Sequence, residues 1–441
     1  MRGGDTVKEK QVFKNAKWII LCKIAQSMLQ FVVGMLCARY LGPSNYGLIN
    51  YASSIVAFAM PLMKLGFDSI LVYELVESPD REGEILGTSI GLNLLSSVLC
   101  MLGVAGVAAS MNAGDMQVIL VCSLYSASLL FAAIEMIQYW FQYRLLSKYS
   151  SVAMLGSYVI VSAYKIFLLA TQKSVYWFAV SHAVEFGMIG AALFVLYFKC
   201  KGQRFSFSLD RAKKMLSRSK HYILSAMMVV VIQNTDHIMI TSMIGEAENG
   251  FYSAAITSIT ILQFVYVAIV DSFRPLILSL RKENRGLYEN NICRVYGITL
   301  YMSIAQGVAF FALADFIIRV LYGSAYMGAA PILRILAVYF VFSVMGLVRN
   351  VWILAEEKQR FLWGINLSGA VVNVILNVFM IPLWGAIGAA VASLLTQFFA
   401  NFVLGFIIKP LRANNRFMLK GLKPKFIFGE LKTISKQIVG K

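Results

Sequence analysis

LGPSNYGLINYASSIVAFAMPLMKLGFD, Leu41 to Asp68, places glycines and polar residues in an otherwise apolar stretch, and 203 residues later they return in IGEAENGFYSAAITSITILQFVYVAIVD, Ile244 to Asp271. Gly42 with Gly245, Gly47 with Gly250, Ala52 with Ala255, and Asp68-Ser69 with Asp271-Ser272 share one ungapped register. Lys17 with Lys220 and Gln30 with Gln233 extend it upstream. Only 9 of the 53 positions from Lys17 to Ser69 are identical, so the weight rests on which residues match. Such an echo predicts a chain of two similar halves.

Of the 441 residues 59% are hydrophobic and only 14% charged, with mean hydropathy +0.70. Soluble domains carry about 45–50% apolar and 25% charged residues, so the expectation is an all-α integral membrane protein. Crossing a bilayer takes about 20 mostly apolar residues. By that rule twelve runs qualify, near 15–41, 45–77, 83–110, 116–143, 149–171, 174–199, 217–244, 248–280, 290–322, 329–355, 361–381 and 384–409. The first lacks a small-residue cleavage site and is too long for a secretory signal, so it reads as a retained helix.

The net charge of +18 is informative through its placement. Of 40 Lys and Arg, 32 fall on one side of these runs: the N-terminus to Lys17, Arg81, Arg144, Lys148, 199–220, 274–294, Lys358, Arg360 and the tail from Lys409. The positive-inside rule makes that side cytoplasmic and puts both termini there. Helices one and seven then both start inside, which makes the repeats parallel. The expected organisation is a six-helix bundle over 1–199, a cytoplasmic linker over 200–216, a second bundle over 217–409 and a basic tail over 410–441, with a central cavity between the bundles. The tail reads either as a cationic interfacial segment or as a solvated one.

Ionisable groups inside hydrocarbon are costly and become functional candidates. Lys23, Lys64, Lys165 and Arg349, with Gln30, Gln233 and Asn234, are candidates to hold an anionic head group. Asp68, Glu185, Asp236, Asp271 and His182 are candidates for ion coupling or internal pairing. Lys64 and Asp68 stand one helical turn apart, a spacing that allows an ion pair. His182 and Glu185 share a helix face, and Arg274 sits three residues from Asp271. Asn366, Asn373 and Asn377 form a stripe that reads as helix packing.

No G-x-x-x-x-G-K-[ST], H-E-x-x-H or G-x-S-x-G sequence occurs, the three histidines are scattered, and the six cysteines show no paired spacing. No nucleotide, metal, cofactor, disulfide or enzymatic role is therefore expected. A polymerase or glycosyltransferase would need a large outer loop or a cytoplasmic domain, and neither is visible.

ARYLGPSNYG (Ala38 to Gly47), LGFDSILVYEL (Leu65 to Leu75), QNTDHIMITSMIG (Gln233 to Gly245), LYGSAYMGAAPILRIL (Leu321 to Leu336) and NVFMIPLWGAIGAAVAS (Asn377 to Ser393) occur in order. Together they resemble the Wzx-type lipid-linked oligosaccharide flippases of the multidrug/oligosaccharidyl-lipid/polysaccharide superfamily, over about residues 14–410. That resemblance implies two lobes around a cavity that opens alternately to either side and an undecaprenyl-pyrophosphate-linked glycan as substrate. It also implies a bacterial inner-membrane location, H+ or Na+ as coupling ion and a polysaccharide polymerase or chain-length regulator as partner. Of the acidic residues, Asp236 is carried over from the motif itself. The competing reading is an ion-coupled multidrug exporter of the related type, which the four intramembrane Lys and Arg disfavour.

Overall fold

The structure, a computed structural model, describes residues 2–112 and 115–423, with side chains from Leu21 onward, Ser225 apart. The elements of its described residues are all helices, without a strand. In order the helices are α1 (Arg2–Met63), α2 (Phe67–Glu77), α3 (Glu82–Met111), α4 (Met116–Ser126), α5 (Ser128–Ala132), α6 (Ile137–Tyr143), α7 (Ser147–Ala170), α8 (Val175–Lys199) and α9 (Leu209–Met243). There follow α10 (Glu246–Thr260), α11 (Gln263–Glu283), α12 (Arg285–Ala312), α13 (Ala314–Tyr322), α14 (Ala329–Ala355), α15 (Arg360–Phe398), α16 (Leu404–Ile407) and α17 (Arg412–Gly421).

Local chemistry sets the helix starts. The Asp115 carboxylate accepts from Gln117 N and Val118 N, Ser208 Oγ from Arg211 N and Asn284 Oδ1 from Leu287 N, so each satisfies amide donors that a helix N-terminus leaves open. Among the described residues ten helical runs are long and apolar enough to span a membrane. Two of them, Leu21–Glu77 and Arg360–Ile407, run for 57 and 48 residues, and each contains a glycine at positive φ: Gly42 at 71° and Gly385 at 59°. A residue with a β-carbon rarely takes this conformation, so both glycines are built-in breaks. Leu99, Leu102, Phe379 and Leu383 are more than half exposed, as lipid-facing side chains are. This is a multi-pass, all-α integral membrane protein.

The described chain forms two compact units, Met1–Gly250 and Phe251–Lys441. This division falls within α10, and the linker expected over 200–216 lies inside the first unit. Besides its packing on α1, α9 is joined to the first unit through that linker. Ser206 N donates to Gly83 O at 3.1 Å, Ser208 N to Thr88 Oγ1 at 3.1 Å and Gly83 N to Gln203 Oε1 at 3.0 Å. A β-carbon on Gly83 would lie 2.1 Å from Arg204 O, and one on Gly87 2.4 Å from Ser206 O. The linker is therefore a strap laid into a glycine groove of α3. Ion pairs continue the attachment: Arg211 and Arg218 both reach Glu74, whose side chain is 1% exposed, and Arg218 also pairs with Glu77 at 2.6 Å. Beside them the buried Glu82 accepts from Trp140 Nε1 at 2.7 Å and pairs with Arg144 at 2.6 Å.

In the second unit the core gathers on α12 and α14 around Tyr288, Tyr296, Trp352 and Ile365. The start of the basic tail is packed there: α17 buries Phe417 and Met418, and Tyr296 OH donates to Asn414 Oδ1 at 2.7 Å. The rest of that tail, with Lys425, Phe426, Ile427, Phe428 and Lys432, lies outside the described residues.

Candidate functional site

The break between α1 and α2 positions the site. Leu65 and Gly66 both adopt positive φ, 51° and 70°, so the helix that Pro61 already weakens stops at Met63. Gly66 cannot carry a side chain here, because a β-carbon would stand 2.7 Å from Ser219 O on α9. Irregular backbone at membrane depth is tolerated where it is buried in protein or lines a water-filled cavity, and this turn lines one of about 320 Å³ within the first unit. Lys64, Asp68, Gln233 and Asn234 face it, with Ser53 and Tyr125.

The same break changes the expected pairing. Lys64 and Asp68 share the cavity but form no ion pair within 4.0 Å, since the four-residue step between them is not a turn of helix. Among the described residues Lys64 has no carboxylate at ion-pair distance, and Glu135 is a neighbour that feels its charge.

A second cavity of about 350 Å³ lies between α1, α7 and α8. Gln30, Tyr158, Lys165, His182 and Glu185 line it. Here Lys165 Nζ meets Glu185 Oε2 at 3.2 Å, so this lysine is already neutralised. His182 lines the same cavity as Glu185 and stacks on Tyr125 with ring centroids 4.2 Å apart, meeting the edge of Phe186 at 5.1 Å. Tyr125 and His182 line both cavities, so the stacked pair is the wall between them. Lys23 faces a third, smaller cavity of about 210 Å³.

The other predicted residues fall elsewhere. Asp236 is buried beside His237, whose Nδ1 meets Asn249 Oδ1 at 2.7 Å. In the second unit Asp271 pairs with Arg274 at 2.7 Å, both about half exposed. Arg349 is buried and donates to Ala400 O at 3.0 Å, Asn401 Oδ1 at 2.6 Å and Asn350 Oδ1 at 3.1 Å, which ties it to the π-helical turn Phe399–Val403. Asn377 Nδ2 donates to Asn373 Oδ1 at 3.2 Å, one turn apart within α15, and both side chains are buried. Sequence reasoning missed Tyr125, Tyr158, Gln26 and Gln142. Gln26 was accessible, being three residues from Lys23 and four from Gln30, whereas nothing separates Tyr125 from an ordinary core aromatic.

The fold and these polar cavities define a multi-pass, all-α membrane protein with polar side chains gathered inside its first helical unit. The polysaccharide biosynthesis protein family model matches residues 12–281, and the chain belongs to that family. It is 21% identical over 399 residues to the capsular polysaccharide biosynthesis protein CapF of Staphylococcus aureus, covering 88% of this chain and 96% of the relative. To the teichuronic acid biosynthesis protein TuaB of Bacillus subtilis (strain 168) it is 21% identical over 411 residues, 91% and 83% of the two chains. Among solved structures, the lipid II flippase MurJ in an inward closed conformation superposes with a TM-score of 0.70 at 14% identity, covering 92% of each chain. An inward-facing multidrug resistance MATE family transporter of the MOP superfamily gives 0.63 at 15% identity, covering 90% of this chain and 98% of that one.

Proposed function

We propose that this protein is a flippase that carries a polyprenyl-pyrophosphate-linked oligosaccharide from the cytoplasmic to the outer leaflet by alternating access, for surface polysaccharide assembly. In this reading the chain crosses a bacterial plasma membrane twelve times with both termini inside, the two long glycine-broken runs each crossing twice. The observation that carries it is Lys64: an ammonium group on a broken turn, in a cavity shared with Asp68, Gln233 and Asn234 and, among the described residues, without a carboxylate at ion-pair distance. Such a group attracts a diphosphate, while the polyprenyl chain stays in lipid. The family and its capsular and teichuronic acid relatives support the glycan side of the reading.

Coupling to H+ or Na+ falls in this proposal to Asp68, Asp236, Asp271, Glu185 or His182, and a polymerase or chain-length regulator would take up the product. The test is reconstitution in vesicles holding a fluorescent polyprenyl-diphosphate oligosaccharide, with the label on the glycan and a membrane-impermeant quencher outside. Protein-dependent transfer is expected, and efflux of a cationic dye without glycan transfer would favour the multidrug reading instead.

A further inference from the structure

Two cavities of the first unit follow one another along the same two helices. On α1 the lining residues are Lys23 and Gln26, then Gln30, Gly34 and Cys37, while on α7 they are Ser150 and Ser151, then Tyr158, Ser162 and Lys165. Gln26 to Gln30 and Met154 to Tyr158 are four-residue steps, so the cavities of about 210 and 350 Å³ lie on one face, a helical turn apart. From Lys23 to Cys37 that face is about 21 Å long at 1.5 Å per residue.

The face is rich in amides and hydroxyls. Among the described residues Gln26, Gln142 and Ser151 of the inner cavity have no side-chain hydrogen-bond partner, so their donors and acceptors are open to a ligand. With Lys165 neutralised by Glu185, Lys23 supplies the remaining positive charge. Alternating neutral donors and acceptors with a single cation suit a sugar chain carrying hydroxyl, acetamido or isolated carboxylate groups, rather than a polyanion or a cationic drug. Rings at the far end, Tyr158 and the Tyr125–His182 stack, offer flat apolar surfaces to sugar faces. There is also room, since a β-carbon on Gly34 would meet nothing within 4 Å.

We propose that this face of α1 and α7 is a glycan-binding groove for the sugar residues of the transported lipid. The proposal rests on the lipid-linked glycan reading above. It assigns the two chemical parts of the substrate to opposite sides of the Tyr125–His182 wall, the diphosphate to the Lys64 cavity and the sugars beyond it.

The experiment compares two probes in the vesicle assay, a polyprenyl diphosphate bearing one N-acetylhexosamine and the same lipid bearing an oligosaccharide. Gly34→Phe fills the groove. Gly156→Phe is the control, because it also projects into open space but from a part of α7 that does not line the groove. Gly34→Phe should lower oligosaccharide transfer about tenfold, equivalent to about 1.4 kcal/mol, and leave the monosaccharide lipid close to wild type. Gln26→Leu with Ser151→Ala should shift the same ratio in the same direction, and decides the matter if Gly34→Phe fails to fold. Equal loss on both probes, or loss on neither, would overturn the groove and leave the flippase reading standing. A wild-type protein that moves neither probe would sink the flippase reading, and the groove with it.

Discussion

Gly47 and Gly250, matched by the 203-residue echo, touch backbone to backbone. A β-carbon on Gly47 would stand 2.7 Å from Gly250 N and 1.8 Å from Glu246 O, and one on Gly250 2.0 Å from Pro43 O. Asn249 Nδ2 closes the contact by donating to Gly47 O at 2.8 Å. Small residues allow such close approach between helices, and without a hydrophobic drive in lipid the approach itself supplies much of the association. Because the obstacles are backbone atoms, Gly47→Ala or Gly250→Ala should destabilise the first unit by roughly 1–3 kcal/mol, the cost typical of overpacking. Thermal unfolding in detergent measures this. A wild-type midpoint in both variants would show that the crossing is loose.

Orientation is the premise of the proposed direction of transport. Single cysteines at Ser206, on the strap, and at Lys173, in the connection between α7 and α8, should label from opposite sides in a cysteine-free background. An impermeant maleimide applied outside intact cells is expected to reach position 173 and not 206. The reverse pattern would invert the transport direction along with the topology.

The strap gives a third expectation. Gly87→Leu would push a side chain into the Ser206 backbone, so residues 201–207 should lift from α3 while Arg211 and Arg218 still hold α9 to Glu74. Limited trypsin digestion should then cut after Lys201 or Arg204 faster than in the wild type. Unchanged cleavage would mean that the groove does not retain the strap.

Membrane class and the helical runs were legible in the sequence because hydrocarbon imposes a length and a composition on anything that crosses it. The break at Gly42 falls in the gap expected between the runs 15–41 and 45–77, and that at Gly385 falls just past the one between 361–381 and 384–409. What could not be read was which buried charges find each other. Lys165 and Glu185 are 20 residues apart on different helices, and Arg349 turns to Asn401 and a carbonyl on the π-helical turn, contacts set by helix rotation that composition does not encode. Lys64 and Asp68 mislead in the opposite way. Their spacing assumes a continuous helix, and the left-handed pair Leu65–Gly66 removes it. The strap was visible as a connection but not as a packed element, because its partner is backbone exposed by Gly83 and Gly87.

Glu356 carries a pH-dependent prediction. Its side chain, 8% exposed, meets Arg281 at 3.0 Å, Arg285 at 2.9 Å and Tyr288 OH at 2.9 Å. Burial alone would raise its pKa, but the hydrogen bonds from Tyr288 and Arg281 and the charges of Arg285 and Arg281 outweigh this and hold it below the ordinary value of 4.5. A carboxylate depressed on folding adds stability above its unfolded pKa and loses it as pH falls through the folded one. Glu356→Gln should therefore destabilise the second unit near neutral pH by roughly 1–3 kcal/mol, as expected when charged donors lose their acceptor. The gap to wild type should narrow as pH drops below about 4.5. A gap that is constant from pH 7 to pH 4 would show that shape rather than charge is what Glu356 contributes.

The last prediction concerns Lys64 and follows from its lack of an ion-pair partner. Were it paired with Asp68, removing it would strand a buried carboxylate, and loss of folding could not be told from loss of binding. Since the two form no ion pair, Lys64→Ala should leave abundance and thermal stability near wild type. Transport of the polyprenyl-diphosphate glycan should nevertheless fall by roughly ten- to a hundredfold, the equivalent of one charge-assisted hydrogen bond of about 1.5–3 kcal/mol. Lys64→Arg, which keeps the charge on a longer and planar head, should retain a substantial part of the activity. Glu135 feels the charge of Lys64, so Lys64→Ala is also to be combined with Glu135→Gln. If that double variant regained transport, Lys64 would be serving to neutralise Glu135 and its assignment to the diphosphate would fall. If transport stayed low while the protein remained folded, the ammonium group would be acting on the substrate itself.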